Sequence, residues 1–311
     1  MRRFQTLTIV TVVLTLVLIA IGSTVRTTGS GLGCPDWPLC HGQLYPPLER
    51  TAIIEYTHRT VAALVGLLIL AQSIWTFVAL RRDRVLVALA AISLPLLGLQ
   101  AYLGRVTVQR ELPPEIVAFH LWTALVLLAL LGLMAGYANL GPGRTRIDTP
   151  ERRGLARVAW IALGVTGVVL VIGAYTVATG AGYGCSTWPS CAQAPIPFAG
   201  GGPLQHTHWL HRITVLIGGG AVGWVFLYVK DMRDVGQHLH RAAHTLIGLY
   251  GLQIIIGAAN IWSNMAEWAR VAHLAAGSAI WVVLVMIAVL ARFRPEGATA
   301  EAPSPPRRAG A

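Results

Sequence analysis

The sequence predicts an all-α membrane protein: eight transmembrane helices forming two tandem four-helix bundles, related by a pseudo-two-fold axis along the membrane normal. Three observations carry that expectation. The first is composition: 55% of the 311 residues are hydrophobic and 12% charged, where an ordinary soluble domain carries roughly 25% charge. The second is a series of eight long apolar runs. The third is an internal repeat that divides those runs into two sets of four.

The runs fall at about 5–24, 55–80, 85–103, 115–138, 157–178, 208–230, 242–261 and 268–292. Most reach the ~20 residues that a helix needs to cross a bilayer. None alternates with the period of two that a strand would need, so all eight read as helices. The first run follows Met1-Arg2-Arg3 as a signal peptide would. It lacks a clear cleavage site and has a counterpart opening the second half, so it reads as helix 1.

The formal net charge is +11, but its distribution argues against nucleic acid as the partner. Arginines and lysine gather at Arg2 and Arg3, at Arg81, Arg82 and Arg84, from Arg144 to Arg157, from Lys230 to Arg241, and from Arg292 onward. These are alternate connections of an eight-helix path. The positive-inside rule then puts both termini in the cytoplasm.

Thr28 to Cys40, with Cys34 and Cys40, matches Thr179 to Cys191, with Cys185 and Cys191. His58-Arg59 matches His211-Arg212, Gly98-Leu99-Gln100 matches Gly251-Leu252-Gln253, and His120-Leu121 matches His273-Leu274. Such self-similarity marks a duplicated unit. Because each unit holds an even number of helices, the two halves share one orientation. The expected organisation is an N-terminal half at 1–140, a cytoplasmic linker at 141–156, a C-terminal half at 157–292 and a disordered tail at 293–311. Gly218, Gly219 and Gly220 are expected to permit close helix packing.

His58, His120, His211 and His273 fall near the outer ends of helices 2, 4, 6 and 8, two in each half. Ionisable groups inside a membrane are costly and mark function. One such histidine would read as an interhelical hydrogen bond, whereas two repeated pairs read as ligands. Zinc sites usually supply more protein donors than a pair. Haem iron in helix bundles commonly takes imidazole, so haem is the expected occupant. The halves differ at one position: Glu55, one turn before His58, is replaced by His208 before His211. Glu55 could anchor the helix end, pair with Arg59, or accept a proton beside a reacting group. Arg59 and Arg212 could meet haem propionates or reach the head groups. The cysteines fall in outer, oxidising loops where disulfides form.

Together Glu55-Tyr56-Thr57-His58-Arg59, the Cys34–Cys40 loop, Phe119-His120-Leu121, His211-Arg212 and His273-Leu274 resemble the haem A synthase family, from about residue 5 to 292. The resemblance implies a bacterial plasma-membrane oxidoreductase that converts the C8 methyl of haem O to a formyl group, giving haem A for terminal oxidases. It implies His58 and His120 as ligands of the substrate haem, and His211 and His273 as ligands of a haem b cofactor. It implies Glu55 as catalytic, with Cys34 and Cys40 tied to activity, and Cys34–Cys40 and Cys185–Cys191 as disulfides. The implied partners are haem O synthase and a membrane or periplasmic electron acceptor, with a homo-oligomer left open. Two other readings stay open. A di-haem electron-transfer cytochrome would use the same histidines but give Glu55 no task. A thiol oxidoreductase would use the loop cysteines and not need the histidines.

Overall fold

The computed structural model describes residues 1–232 and 236–295. Arg233, Arg307 and Arg308, part of the expected inner charge set, and all of the expected tail beyond 295 lie outside them. The described chain folds into α1 (Arg2–Thr27), α2 (Arg50–Ala79), α3 (Arg84–Gln109), α4 (Pro114–Asn139), α5 (Pro150–Ala178), α6 (Pro203–Asp231), α7 (Gln237–Trp262) and α8 (Glu267–Arg292). Each contains an 18-residue window with mean hydropathy between 1.5 and 2.6. All eight are long and apolar enough to cross a membrane, as the apolar runs predict.

Several helices start earlier than hydropathy suggests. Their first turns are polar, and the signal there is capping. Thr149 accepts from the Arg152 N–H at 3.3 Å, and Pro150 occupies the first turn of α5. The linker is accordingly shorter than the expected 141–156. Asp83 caps α3 by accepting from the Leu86 N–H at 3.2 Å. Pro203 opens α6 five residues before the expected 208. The linker itself is ordered by a two-residue strand, β1 (Thr145–Arg146), antiparallel to β2 (Phe293–Arg294). Those last two residues fall inside the segment expected as a tail.

In the first half, α1 packs on α2 and α4, and α3 packs on α2 and α4. In the second, α5 packs on α6 and α8, and α7 on α6 and α8. Each half is thus a closed ring of four helices. The halves join through α8 against α1 and α4, and through α4 against α5. The main core runs along this joint, with Leu125, Leu128 and Leu131 of α4 against Ala159 and Ala162 of α5 and Leu284 of α8. Trp281 of α8 adds a direct bond: its indole N–H donates to the Leu125 carbonyl at 2.9 Å. Gly218 behaves as expected. The Tyr250 hydroxyl of α7 would lie 2.6 Å from a Cβ on Gly218, and it donates to the Val215 carbonyl at 2.5 Å.

Candidate functional site

Each of the four histidines His58, His120, His211 and His273 is backed by a glycine from a neighbouring helix. A Cβ on Gly22 of α1 would lie 3.1 Å from His58 Cε1, and one on Gly104 of α3 would lie 3.4 Å from His120 Cε1. In the second half Gly173 of α5 and Gly257 of α7 stand 3.3 Å from His211 and His273 in the same way. The missing side chains let a neighbouring helix close onto the imidazole, which fixes the ring plane. Sequence reasoning gave these glycines no role. The repeat would have found them, since Gly22 aligns with Gly173 and Gly104 with Gly257 at the offsets that align the cysteines and the histidines.

The histidines lie deeper than the helix spans read from sequence imply. His58 is eight residues past Arg50, and His120 is six past Pro114. At 1.5 Å per residue these are roughly 12 Å and 9 Å below the helix starts. His211 and His273 occupy the same depths in α6 and α8. The His211 and His273 rings face each other, centroids 6.4 Å apart and planes at 72°. His58 and His120 are within electrostatic reach of one another. Gln100 and Gln253 place their side-chain nitrogens 3.4 Å and 3.3 Å from the Nε2 of His120 and His273. In the first half Thr123 donates to the Gln100 side-chain oxygen at 2.6 Å. Gln253, which has Ala276 in the matching place, leaves its oxygen buried and unpartnered.

Glu55 is buried, with its side chain 4% exposed. One carboxylate oxygen accepts from the Cys34 backbone N–H at 2.9 Å, and the other accepts from Arg59 at 2.5 Å. Arg59 in turn donates to the carbonyls of Cys34, Asp36 and Leu39 at 2.6–2.8 Å. The pairing with Arg59 that the sequence allowed is therefore present, and the arginine also holds the cysteine loop. Arg212 does the same for the second loop, donating to the carbonyls of Thr187, Pro189 and Ser190 at 2.9 Å. Neither arginine is a simple snorkelling cation. His208, in the place of Glu55, has its Nδ1 2.9 Å from the Ala181 carbonyl oxygen.

Cys34–Cys40 and Cys185–Cys191 are disulfides, as expected, and all four cysteines are buried. Each loop lies directly on the start of the following helix. A Cβ on Gly33 would overlap the Thr51 carbonyl, and one on Gly184 would lie 2.7 Å from the Leu204 carbonyl oxygen. Asp36 tightens the first loop by accepting from the N–H groups of Gly42 and His41 at 2.7 Å and 2.6 Å. Those N–H groups, Gly42 first, hold its carboxyl below the usual carboxylate range. The loop tryptophans dock differently in the two halves. The Arg105 guanidinium of α3 sits 5.7 Å over the Trp37 ring, whereas Trp188 meets Trp262 of α7 edge-on at 5.7 Å.

Which ligand fits follows from the donors. The Nδ1 atoms of His58, His120, His211 and His273 are all buried without a hydrogen-bond partner. Buried polar atoms are normally paired, so four matched exceptions point to a group outside the chain. Among the described residues no three His, Cys, Asp or Glu side chains converge as a metal cage would need. Pairs of imidazoles between helices fit haem iron.

The class defined by fold and site is a polytopic membrane protein with a histidine pair in each half and, among the described residues, a buried carboxylate in the first half alone. The chain matches the COX15-CtaA family, described as cytochrome oxidase assembly protein, over residues 5–285, and it belongs to that family. Among its relatives is the Heme A synthase of an Exiguobacterium species, 37% identical over 269 residues and 85% of each chain. The Heme A synthase of Shewanella oneidensis is 28% identical over 89% of this chain and 93% of its own. A Thermus thermophilus Protoheme IX farnesyltransferase is 31% identical over 89% of this chain, which spans 47% of that longer protein.

Proposed function

We propose that this chain is a haem A synthase, an oxidoreductase that converts the C8 methyl of haem O to the formyl group of haem A. The observation that carries the reading is Glu55. It is buried one helical turn before His58 and fixed by Arg59 and the Cys34 N–H, while the second half has His208 there. One site is equipped for proton transfer and the other is not.

In this reading His58 and His120 hold the substrate haem O between α2 and α4, with Gly22 and Gly104 keeping the rings in plane. His211 and His273 hold haem b between α6 and α8. Haem b, when bound there, supplies a one-electron redox centre. Replacing methyl hydrogens by an oxygen taken from water would release protons and electrons, the electrons passing to a membrane or periplasmic acceptor. Glu55 accepts a proton at its carboxylate or orients the attacking water. Arg59 keeps that carboxylate aimed. The Cys34–Cys40 disulfide fixes the Cys34 N–H that Glu55 uses, which gives the cysteines a positioning task without thiol chemistry.

The two rings of helices are proposed to be related by a pseudo-two-fold axis along the membrane normal. Both termini and the linker face the cytoplasm of a bacterial plasma membrane, and the cysteine loops face outward. A haem O synthase is the proposed partner. The Thermus protein named Protoheme IX farnesyltransferase carries a segment similar to nearly all of this chain within one polypeptide. Expression in a host that has haem O synthase but lacks its own haem A synthase, followed by pigment extraction, tests the reading. Haem A must appear. Haem O accumulating unconverted, with no haem A, sinks it in favour of an electron-transfer cytochrome.

A further inference from the structure

At the end of the first half opposite the cysteine loop, four segments terminate together. α2 stops at Ala79, α3 starts at Arg84, α4 stops at Asn139, and the linker turns back at Gly141 with φ 87°. Between them is a cavity of about 460 Å³ lined by Arg82, Asp83, Arg84, Val85, Tyr137 and Arg144. Three guanidinium groups face one carboxylate there. That carboxylate is already engaged, since Asp83 pairs with Arg144 and caps α3.

Arg144 is not a solvated surface arginine. Its side chain is 9% exposed. It donates to the Gly141 carbonyl at 2.7 Å and lies 3.8 Å over the Tyr137 ring. Its Nε is buried with no hydrogen-bond partner. A buried guanidinium with an unpaired N–H is unfavourable unless an acceptor completes it. Arg82 and Arg84 are exposed at the rim, and no carboxylate among the described residues lies within ion-pair distance of either.

The position decides the source of the missing acceptor. Helix ends mark the boundary between hydrocarbon and head groups. Val85, which lines the cavity, opens an exposed apolar stripe on α3 that continues through Ile92 and Leu99. The seven-residue spacing keeps the three on one helix face. An anionic head group with acyl chains attached matches this continuity, and a free anion does not. Basic pockets between transmembrane helices are known to take such head groups.

We infer that this cavity binds the phosphate group of an anionic phospholipid, with Arg82 and Arg84 gripping it, Arg144 at its floor and an acyl chain lying along Val85, Ile92 and Leu99. The bound lipid braces the junction of the α2–α3 loop with the linker. Tyr137 also packs edge-on against Phe293 at 5.1 Å, and Phe293–Arg294 pairs with Thr145–Arg146. The brace therefore reaches the end of α8 in the other half.

The test is native mass spectrometry of the full chain in neutral detergent, titrated with phosphatidylglycerol or phosphatidylcholine. Phosphatidylglycerol is expected to bind preferentially, and glycerol phosphate is expected not to displace it. An R82A/R84A double variant, which leaves the buried Arg144 in place, should bind roughly thirtyfold more weakly, from about 1 kcal/mol per arginine. Arg241→Ala, an exposed arginine on α7, should bind as the parent does. Arg84→Gln alone gives an intermediate loss and guards against a folding defect in the double variant. Equal binding of the two lipids, displacement by glycerol phosphate, or undiminished binding by both R82A/R84A and Arg84→Gln would overturn the inference.

Discussion

Glu55 and Arg59 form an ion pair at 2.5 Å one helical turn apart, and between them they grip both polar groups of one peptide residue. Glu55 accepts from the Cys34 N–H, and Arg59 donates to the Cys34 carbonyl. The carboxylate, the cation and the disulfide loop are thus one unit. The second half keeps the arginine and the disulfide but has His208 in place of the carboxylate.

Arg59→Ala is expected to destabilise the protein more than Arg212→Ala. Removing Arg59 leaves the buried Glu55 charge without its partner, at a cost of about 3 kcal/mol. Removing Arg212 loses bonds to exposed loop carbonyls and its contact over the Trp209 ring at 5.4 Å, about 1–2 kcal/mol. Thermal unfolding of both variants in one detergent checks the order. Equal losses would mean that the Glu55–Arg59 pair adds nothing to loop anchoring.

The two disulfides should separate in their effects. Replacing Cys185 and Cys191 by serine is expected to cost stability, about 2–3 kcal/mol, with haem A yield per folded protein retained. Replacing Cys34 and Cys40 is expected to cost similar stability and also to lower that yield, because Cys34 carries the N–H that holds Glu55. Pigment yield normalised to folded protein distinguishes them. A redox role for Cys34–Cys40 would instead make activity respond to the ambient thiol potential while stability stays unchanged.

Glycines at the histidine rings give a third test. Gly173→Ala pushes a methyl to 3.3 Å from His211 Cε1, and crowding of this kind costs about 1–3 kcal/mol. Purified Gly173→Ala protein should retain less haem b, with a broadened visible spectrum. Gly22→Ala, with the tighter 3.1 Å contact at His58, should leave haem b in place and weaken haem O binding. The reverse pattern would mean that the halves are assigned the wrong way round.

Trp37 is held by Arg105 and Trp188 by Trp262, so the two loop closures differ in kind. An exposed cation–π contact is worth only about 0.5–1 kcal/mol, which suits a site that must exchange its occupant. Trp262→Ala is expected to speed loss of haem b from the second half by roughly two- to tenfold, the range for aromatic pairs. Haem transfer to apomyoglobin measures it, and an unchanged rate would show that this closure does not retain haem.

Much of this was legible in the sequence, for identifiable reasons. Apolar runs gave the number of helices, because in a bilayer length and hydropathy act directly. The repeat brought out His58, His120, His211 and His273, and it isolated Glu55 against His208. Helix starts were read too late at α2, α5 and α6, because their first turns are polar and hydropathy does not register caps such as Thr149. Gly22, Gly104, Gly173 and Gly257 were overlooked because a glycine's role depends on what packs against it, which only the folded helices show. The loop-anchoring role of Arg59 and Arg212 was likewise hidden, since their acceptors are backbone carbonyls that leave no mark in composition.

If the half carrying Glu55 is the reaction site, haem A formation needs the Glu55 carboxylate. Glu55→Gln keeps the side chain's size and an oxygen to accept from Cys34, but removes the base. The variant is expressed with haem O synthase, and its bound haems are extracted and quantified. Both haem sites are expected to be filled, with haem O in place of haem A and a fall in haem A of about 10²–10⁴-fold, the usual contribution of a positioned base. Undiminished haem A from a variant that binds both haems would contradict it.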